Sequence, residues 1–341
     1  MKFQLNAEIK RTGEKQQSQG SGLVKRKILD MLQSADEYVS GEKISRETGI
    51  SRAAVWKHIK SLKNKGYEIL SVTNRGYRLI SSPDLITADG IAAGLNTQFI
   101  GRKLFIYDET DSTNERAKAQ SGEKEGSVFI AEVQNHGKGS RGRGWVSPKG
   151  TGIWHTILLK PDITPSEVSQ ITLVAGLAVC RTIGLGAMIK WPNDIVIGSK
   201  KVCGILTEMS AEIDMVNYVV CGIGINVNTE SFDKEIAHRA TSMYLESGEK
   251  QTRNDLIASE LNYFEYYYKK FLAGGLGAIL DEYKENCVTV GRDVTVIYNK
   301  ETVTGKAVDI DEKGALIVET ENGTIPVTSG EVSVRGIYGY V

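Results

Sequence analysis

Gln134-Asn135-His136-Gly137-Lys138-Gly139-Ser140-Arg141-Gly142-Arg143-Gly144-Trp145 is the stretch on which the central fold turns. It follows an apolar run over residues 128–133, and Gly137, Gly139, Gly142 and Gly144 alternate with Lys138, Arg141 and Arg143. Such glycines free the backbone and expose its amides, and the cations add charge, so the segment can wrap a phosphate or an adenylate. Two common phosphate and acyl-transfer folds are excluded. The spacing of a Walker A loop is absent, and a nucleophile elbow needs glycine two residues before the serine, where Lys138 stands. Gly222-Ile223-Gly224-Ile225-Asn226-Val227-Asn228 resembles the start of a dinucleotide fingerprint, but it lacks the last glycine and no helix follows. What remains for that segment is close approach of backbone to a ligand. The same basic loop composition also fits a flexible surface loop that binds RNA.

Around this loop, strands are expected over 104–107, 128–133, 153–159, 195–197, 202–207 and 218–225, and helices over 114–120, 166–183 and 254–272. Strands and helices do not alternate strictly. Two strand pairs read as hairpins, one through Gly198-Ser199-Lys200, so a mixed α+β sheet is favoured over a doubly wound parallel one. Two further segments carry unusual chemistry. In Ile189-Lys190-Trp191-Pro192-Asn193-Asp194-Ile195, Lys190 can hold a carboxylate and a phosphate together; alternatively Trp191 plugs the core and Lys190 is solvated. Asp111-Ser112-Thr113-Asn114 ends a strand and opens a helix, where Ser112 or Thr113 is most simply a cap. A helix start also suits polar or anionic ligand groups.

Before this domain, Val24, Ile28, Leu29 and Leu32 repeat at helical spacing, Ser40 to Ile44 opens a second helix that stops at Gly49, and Ser51 caps a third. Two strand-like runs over 67–72 and 77–80 are joined by Asn74-Arg75-Gly76. That is the order of a winged helix-turn-helix. Between Ser40 and Ile80 the basic residues Lys43, Arg46, Arg52, Lys57, Lys60, Lys63, Lys65, Arg75 and Arg78 face only Glu42, Glu47 and Glu68, which suggests a polyanion partner. Ser51, Arg52, Ala53, Ala54, Trp56 and Lys57 would form the recognition helix and Arg75 the wing contact to DNA. A basic face on a protein-interaction domain is the plainer alternative. One such domain reads one half-site, so a homodimer is expected.

The 341 residues fit several domains: a polar tail over 1–21, the winged helix over 22–82, a larger domain over 83–287 and a small β-barrel over 288–341. The barrel is read from turns at Asn299-Lys300, Asp311-Glu312-Lys313-Gly314 and Glu321-Asn322-Gly323. Forty-two basic and 42 acidic residues cancel, so the whole chain is not a basic polymer binder. The polar start and the lack of long apolar runs lead us to expect a cytoplasmic protein with no membrane partner. Cys180, Cys203, Cys221 and Cys287 form no C-x-x-C pair, and the four histidines show no zinc spacing.

Taken together and in order, the winged helix, Asp111-Ser112-Thr113-Asn114, Gln134 with its glycine loop, Lys190-Trp191-Pro192-Asn193-Asp194, Gly204-Ile205-Leu206-Thr207-Glu208 and Gly222 to Asn226 resemble the bifunctional biotin–protein ligase and biotin operon repressor family, from about residue 22 to the end. The resemblance implies a catalytic domain similar to class II aminoacyl-tRNA synthetases and a C-terminal SH3-like barrel. It implies ATP-dependent formation of biotinyl-adenylate, transfer to a lysine of a biotin carboxyl carrier domain, and operator binding by an adenylate-bound dimer. Biotin, ATP and Mg²⁺ are the expected small molecules, with no protein side chain assigned to the metal. Lys190 would be the catalytic cation. Biotin would be held by Ser112, Thr113, Asn114, Gln134, Lys138, Gly139, Ser140, Lys190 and Gly204. The adenylate would be held by Gly137, Lys138, Arg141, Arg143, Trp145, Lys190, Asn193 and Asn226. Arg335 resembles a family arginine. The family loop starts G-R-G-R, whereas this chain has Gly137-Lys138-Gly139-Ser140, so looser adenylate retention is expected. A lipoate-type ligase and a ligand-sensing repressor with a decayed ligase site are the rival readings.

Overall fold

The computed structural model describes residues 24–64, 66–298, 301–328 and 331–334. The tail over 1–21, Lys65, the turn at Asn299-Lys300 and Arg335 therefore lie outside the described residues. The chain divides into two compact units, Met1–Asp84 and Leu85–Val341.

The first unit holds α1 (residues 24–33), α2 (Gly41–Thr48), α3 (Arg52–Asn64) and the antiparallel wing β1 (Glu68–Val72) and β2 (Gly76–Ser81). Local signals set these bounds. The Ser40 side chain accepts from the Lys43 amide, and Gly49 closes α2 in the left-handed conformation, φ 72°. Ser51 Oγ accepts from the Ala54 amide at 3.2 Å. Ile28, Leu32, Ile44, Val55, Ile59, Leu62 and Ile69 form the core. Gly76 is required at the wing, because a Cβ there would lie 2.2 Å from the Val39 carbonyl oxygen.

The second unit runs through α4 (Ala88–Gly94), β3 (Leu104–Tyr107), α5 (Thr113–Ala119), β4 (Val128–Ala131), β5 (Gly152–Leu159), α6 (Val168–Ile183), β6 (Met188–Lys190), β7 (Asp194–Ile197), β8 (Lys200–Ala211), β9 (Val216–Asn226), α7 (Met243–Ser247), α8 (Arg253–Gly274) and α9 (Gly277–Glu285). Its seven strands take the order β3-β4-β5-β9-β8-β7-β6. Only β3 and β4 are parallel, so the sheet is mixed, as the hairpin pattern implied. Helix α6 is buried almost all round and packs with α8 against one face. Five C-terminal strands follow: β10 (Asp293–Tyr298), β11 (Glu301–Ile310), β12 (Leu316–Thr320), β13 (Gly323–Val327) and β14 (Glu331–Val334). They form an antiparallel sheet in the order β13-β12-β11-β10-β14. Val294, Ile310, Leu316 and Val318 belong to the same apolar cluster as Val174, Ile189 and Trp191.

A buried ion pair and a buried histidine–glutamate contact sit in this core. Arg253, fully buried at the start of α8, meets Glu132 with both Nη atoms at 2.9 and 3.1 Å and donates to the Gly152 carbonyl at 3.1 Å. His155 Nε2 lies 3.1 Å from Glu260 Oε2. The four cysteines are all buried and free, and burial pushes Cys180 up to about 11 and Cys221 up to about 12.

Candidate functional site

The site lies on the sheet face opposite α6. Strand register builds it. Lys190 opposes Asp194, Asp194 opposes Gly204, Gly204 opposes Gly224, and Gly224 opposes Trp154. Directly opposed residues share a face, so this is one row across five strands. The neighbouring row contains Leu206, Gly222 and Thr156. Three glycines at the centre of these rows leave a bare backbone floor. A Cβ on Gly222 would fall 2.1 Å from Asn114 Oδ1, and one on Gly224 would fall 2.6 Å from the Trp145 indole nitrogen. Ordinary residues at these positions would displace the walls.

The walls come from three segments. At the start of α5, Ser112 occupies the N-cap position, yet its hydroxyl makes no cap bond; the simplest sequence reading of this serine is not what the structure adopts. Thr113 donates through both its amide and its hydroxyl to Gln134 Oε1, at 2.8 and 3.0 Å, and Gln134 Nε2 donates to Ser147 at 2.9 Å. Thr156 Oγ1 lies 2.8 Å from Thr113 Oγ1 and 2.6 Å from Asn114 Oδ1. The Asn114 amide donates to Glu208 at 2.7 Å. Asp111 accepts from the Ser112 amide and from Thr110, which holds its carboxyl below the usual range.

The glycine loop crosses this floor as a small hairpin of its own, with the Gly139 amide donating to the Arg143 carbonyl and the Trp145 amide to the Gly137 carbonyl. Arg141 takes φ 61° within it, a conformation uncommon outside glycine. Lys201 Nζ sits 5.2 Å from the Trp145 ring centroid and 2.5 Å from Asp194 Oδ1. In the turn after Lys190, Asn193 donates to Ser140 Oγ and to the Ile205 carbonyl, each at 2.9 Å.

These walls line a partly open cleft on the sheet. Ser112, Thr113, Asn114, Gln134, Lys138, Gly139, Ser140, Trp145, Asn193 and Gly204 all line it, so four separate sequence segments converge. Gly137, Arg141, Arg143, Lys190 and Asn226 lie outside the lining. Gly137 is a packing position, where a Cβ would meet the Trp145 carbonyl oxygen at 2.3 Å. Arg141 and Arg143 are exposed. The Asn226 amide donates to the Thr241 carbonyl at 3.1 Å. Lys190 is buried rather than solvated, at 7% exposure, two strand spacings or about 10 Å from Gly204 along the shared row. Trp191 does plug the core: it is 1% exposed and its indole donates to the Gly314 carbonyl at 3.0 Å. Sequence reading missed Lys201, which lines the cleft, and Thr156, which bonds two of its walls. The two-residue spacing of Gly222 and Gly224, on one strand face, was the signal for the floor.

In the first unit Arg52, Ala53, Trp56 and Lys57 are exposed on α3, Ala54 is half-buried, and Lys60 Nζ lies 5.3 Å from the Trp56 centroid. Arg75 is exposed on the wing, with its guanidinium 4.7 Å from the Tyr38 ring centroid.

Three family models match separate parts of the chain. An HTH domain matches residues 24–78, the biotin/lipoate A/B protein ligase family matches 106–226, and a biotin protein ligase C-terminal domain matches 289–335. Together they define the class: a helix-turn-helix domain joined to a vitamin–protein ligase fold. The chain is 38% identical over 310 residues to the bifunctional ligase/repressor BirA of Bacillus subtilis, covering 89% of this chain and 95% of that protein. It is 30% identical over 314 residues to BirA of Escherichia coli, covering 91% and 96%. A solved biotin protein ligase from Aquifex aeolicus, in complex with biotin and ATP, superposes with a TM-score of 0.61 at 32% identity, over 69% of this chain and 99% of that one. The chain therefore belongs to the bifunctional biotin–protein ligase and repressor family.

Proposed function

We propose that the chain is an ATP-dependent biotin–protein ligase that also represses biotin genes. The observation that carries the enzymatic half is the glycine-floored pocket, where Ser112, Gln134, Ser140, Asn193 and Gly204 meet although they are far apart in sequence. Thr113, Asn114 and Gln134 offer the hydrogen-bonding groups that a ureido ring needs. Lys190, at the edge of the same face, supplies positive charge where two anions are brought together. A carboxylate oxygen of biotin attacks the α-phosphorus of ATP, the bond to pyrophosphate breaks, and biotinyl-adenylate forms. Mg²⁺ enters as the counter-ion of the ATP phosphates. An uncharged lysine amine of a biotin carboxyl carrier domain then attacks the acyl carbon; AMP leaves and the amine loses a proton. Lys138, Gly139, Ser140 and Trp145 cover the intermediate, with Arg141 and Arg143 near the phosphate.

For the regulatory half, α3 enters the major groove and the wing approaches the backbone. A homodimer joins two half-sites, and the protein works in the cytoplasm beside both partners. Arg52→Ala is expected to weaken operator binding by about 1–3 kcal/mol, measured by gel shift with a palindromic fragment in the presence of biotin and ATP. Unchanged affinity would remove α3 from the interface.

The test of the enzymatic half is ATP-dependent labelling of a biotin carrier domain, with lipoate as competitor. Biotin transfer that lipoate leaves intact is the expected result. Transfer of lipoate would favour the sister activity of the family, and no transfer at all would favour a ligand sensor without catalysis.

A further inference from the structure

The glycine loop is tied to the pocket walls by side chains of the protein itself. Lys138 Nζ lies 2.6 Å from Glu115 Oε1 on α5. Ser140 Oγ accepts from Asn193, and the Trp145 indole lies over Gly204 and Gly224. Glu115 is not a lining residue, but it is firmly placed: Lys118 Nζ is 3.0 Å from the same oxygen and 2.6 Å from Glu208 Oε1. Lys138 and Lys118 hold the Glu115 carboxyl below the usual range, so it stays ionised at neutral pH. The two positions that carry arginine in the family pattern, 138 and 140, therefore both bond to neighbouring side chains in this chain. One directs its charge at α5 and the other has none.

We propose that Glu115 is a positioning residue that fastens the Lys138 end of the glycine loop to α5 and thereby slows escape of the acyl-adenylate. Its role in retention rests on the ligase reading above; the fastening itself does not. Glu115 lies outside the lining and reaches the loop through Lys138; its second partner, Lys118, also bonds Glu208, the acceptor of Asn114. Removing its charge leaves the Ser140 and Trp145 contacts in place, so the loop loosens at one end.

Two measurements on the full chain test this. Without substrates, limited trypsin digestion reads cleavage after Arg141 and Arg143, both exposed in the loop. Glu115→Gln should speed these cuts about two- to fivefold, the range expected for a part-exposed ion pair. The charge swap Glu115→Lys with Lys138→Glu should return them towards the wild-type rate. Fragment masses distinguish loop cleavage from general unfolding. Wild-type cleavage rates in Glu115→Gln, or a swap cut as fast as Glu115→Gln, would overturn the fastening. With biotin and ATP, Glu115→Gln should release biotinyl-adenylate about two- to fivefold faster. Faster cutting with unchanged release would overturn the retention role. Failure of the wild type to form any adenylate would instead overturn the ligase reading, and digestion would still decide the fastening.

Discussion

Lys190→Met is expected to slow biotinyl-adenylate formation by about 10²–10³-fold, the usual cost of removing one preorganised charge or donor from a reacting centre. Methionine keeps an unbranched apolar stem of similar length, so packing at the end of β6 changes little while the ammonium is lost. Lys190 is 7% exposed and shares a sheet row with Gly204 and Gly224. A charge kept this far from water acts on nearby anions with little screening. The carboxylate and the phosphate repel each other, and a single cation on their side of the floor offsets that repulsion most as they approach. Biotin-dependent exchange of pyrophosphate into ATP measures this step without the acceptor protein. A rate within twofold of wild type would exclude Lys190 from the chemistry.

Arg253→Met is expected to destabilise the second unit by about 3–5 kcal/mol, because it leaves Glu132 buried without its cation. Glu132 is 6% exposed, and besides both Nη atoms of Arg253 it accepts from the Gly150 amide at 3.3 Å and the Ile86 amide at 3.4 Å. Arg253 also donates to the Gly152 carbonyl. The pair thus ties the start of α8 to the end of β4 and the start of β5, the two strands between which the glycine loop is suspended. Adding Glu132→Met to the variant should recover much of the loss, since two apolar groups can replace a buried pair at little cost. Urea unfolding of the single and double variants measures both effects. A single-variant loss under about 1 kcal/mol would mean that the pair is far more hydrated than its burial implies.

How much of this was legible in the sequence depended on range. The winged helix was readable because its signals are local: caps at Ser40 and Ser51, the left-handed Gly49, and a basic wing turn. The central strands could be placed to within a few residues, and Gly198 marked the β7–β8 hairpin. Helix α4 escaped notice because Gly90 and Gly94 weaken its helical pattern, and β6 because three residues show no periodicity. The site was half legible. Unusual composition singled out Lys190, Gln134 and the loop, and ten of the chosen residues do line one pocket. What could not be read is the pairing of β5 with β9, over 60 residues on, and hence the place of Trp154 beside Gly224 and of Thr156 beside Gly222. Thr156 meets Thr113 and Asn114, Glu115 meets Lys138 and Lys201 meets Trp145 through tertiary contacts that their own residue types do not signal. The tryptophan beside Lys190 illustrates the limit: its core role and the burial of the lysine are both true, although the sequence offered Trp191 as a plug only with a solvated lysine.

The central claim is that the bare backbone of Gly204, Gly222 and Gly224 is the bed on which biotin and ATP are joined. A crystal structure of the chain grown with biotin, ATP and Mg²⁺ addresses it most directly. The expected result is one biotinyl-adenylate per chain, its ring system between Gln134 and the glycine floor and its acyl-phosphate turned towards Lys190. Density for the intermediate elsewhere on the molecule, or a carboxylate-to-phosphate link pointing away from Lys190, would contradict the claim.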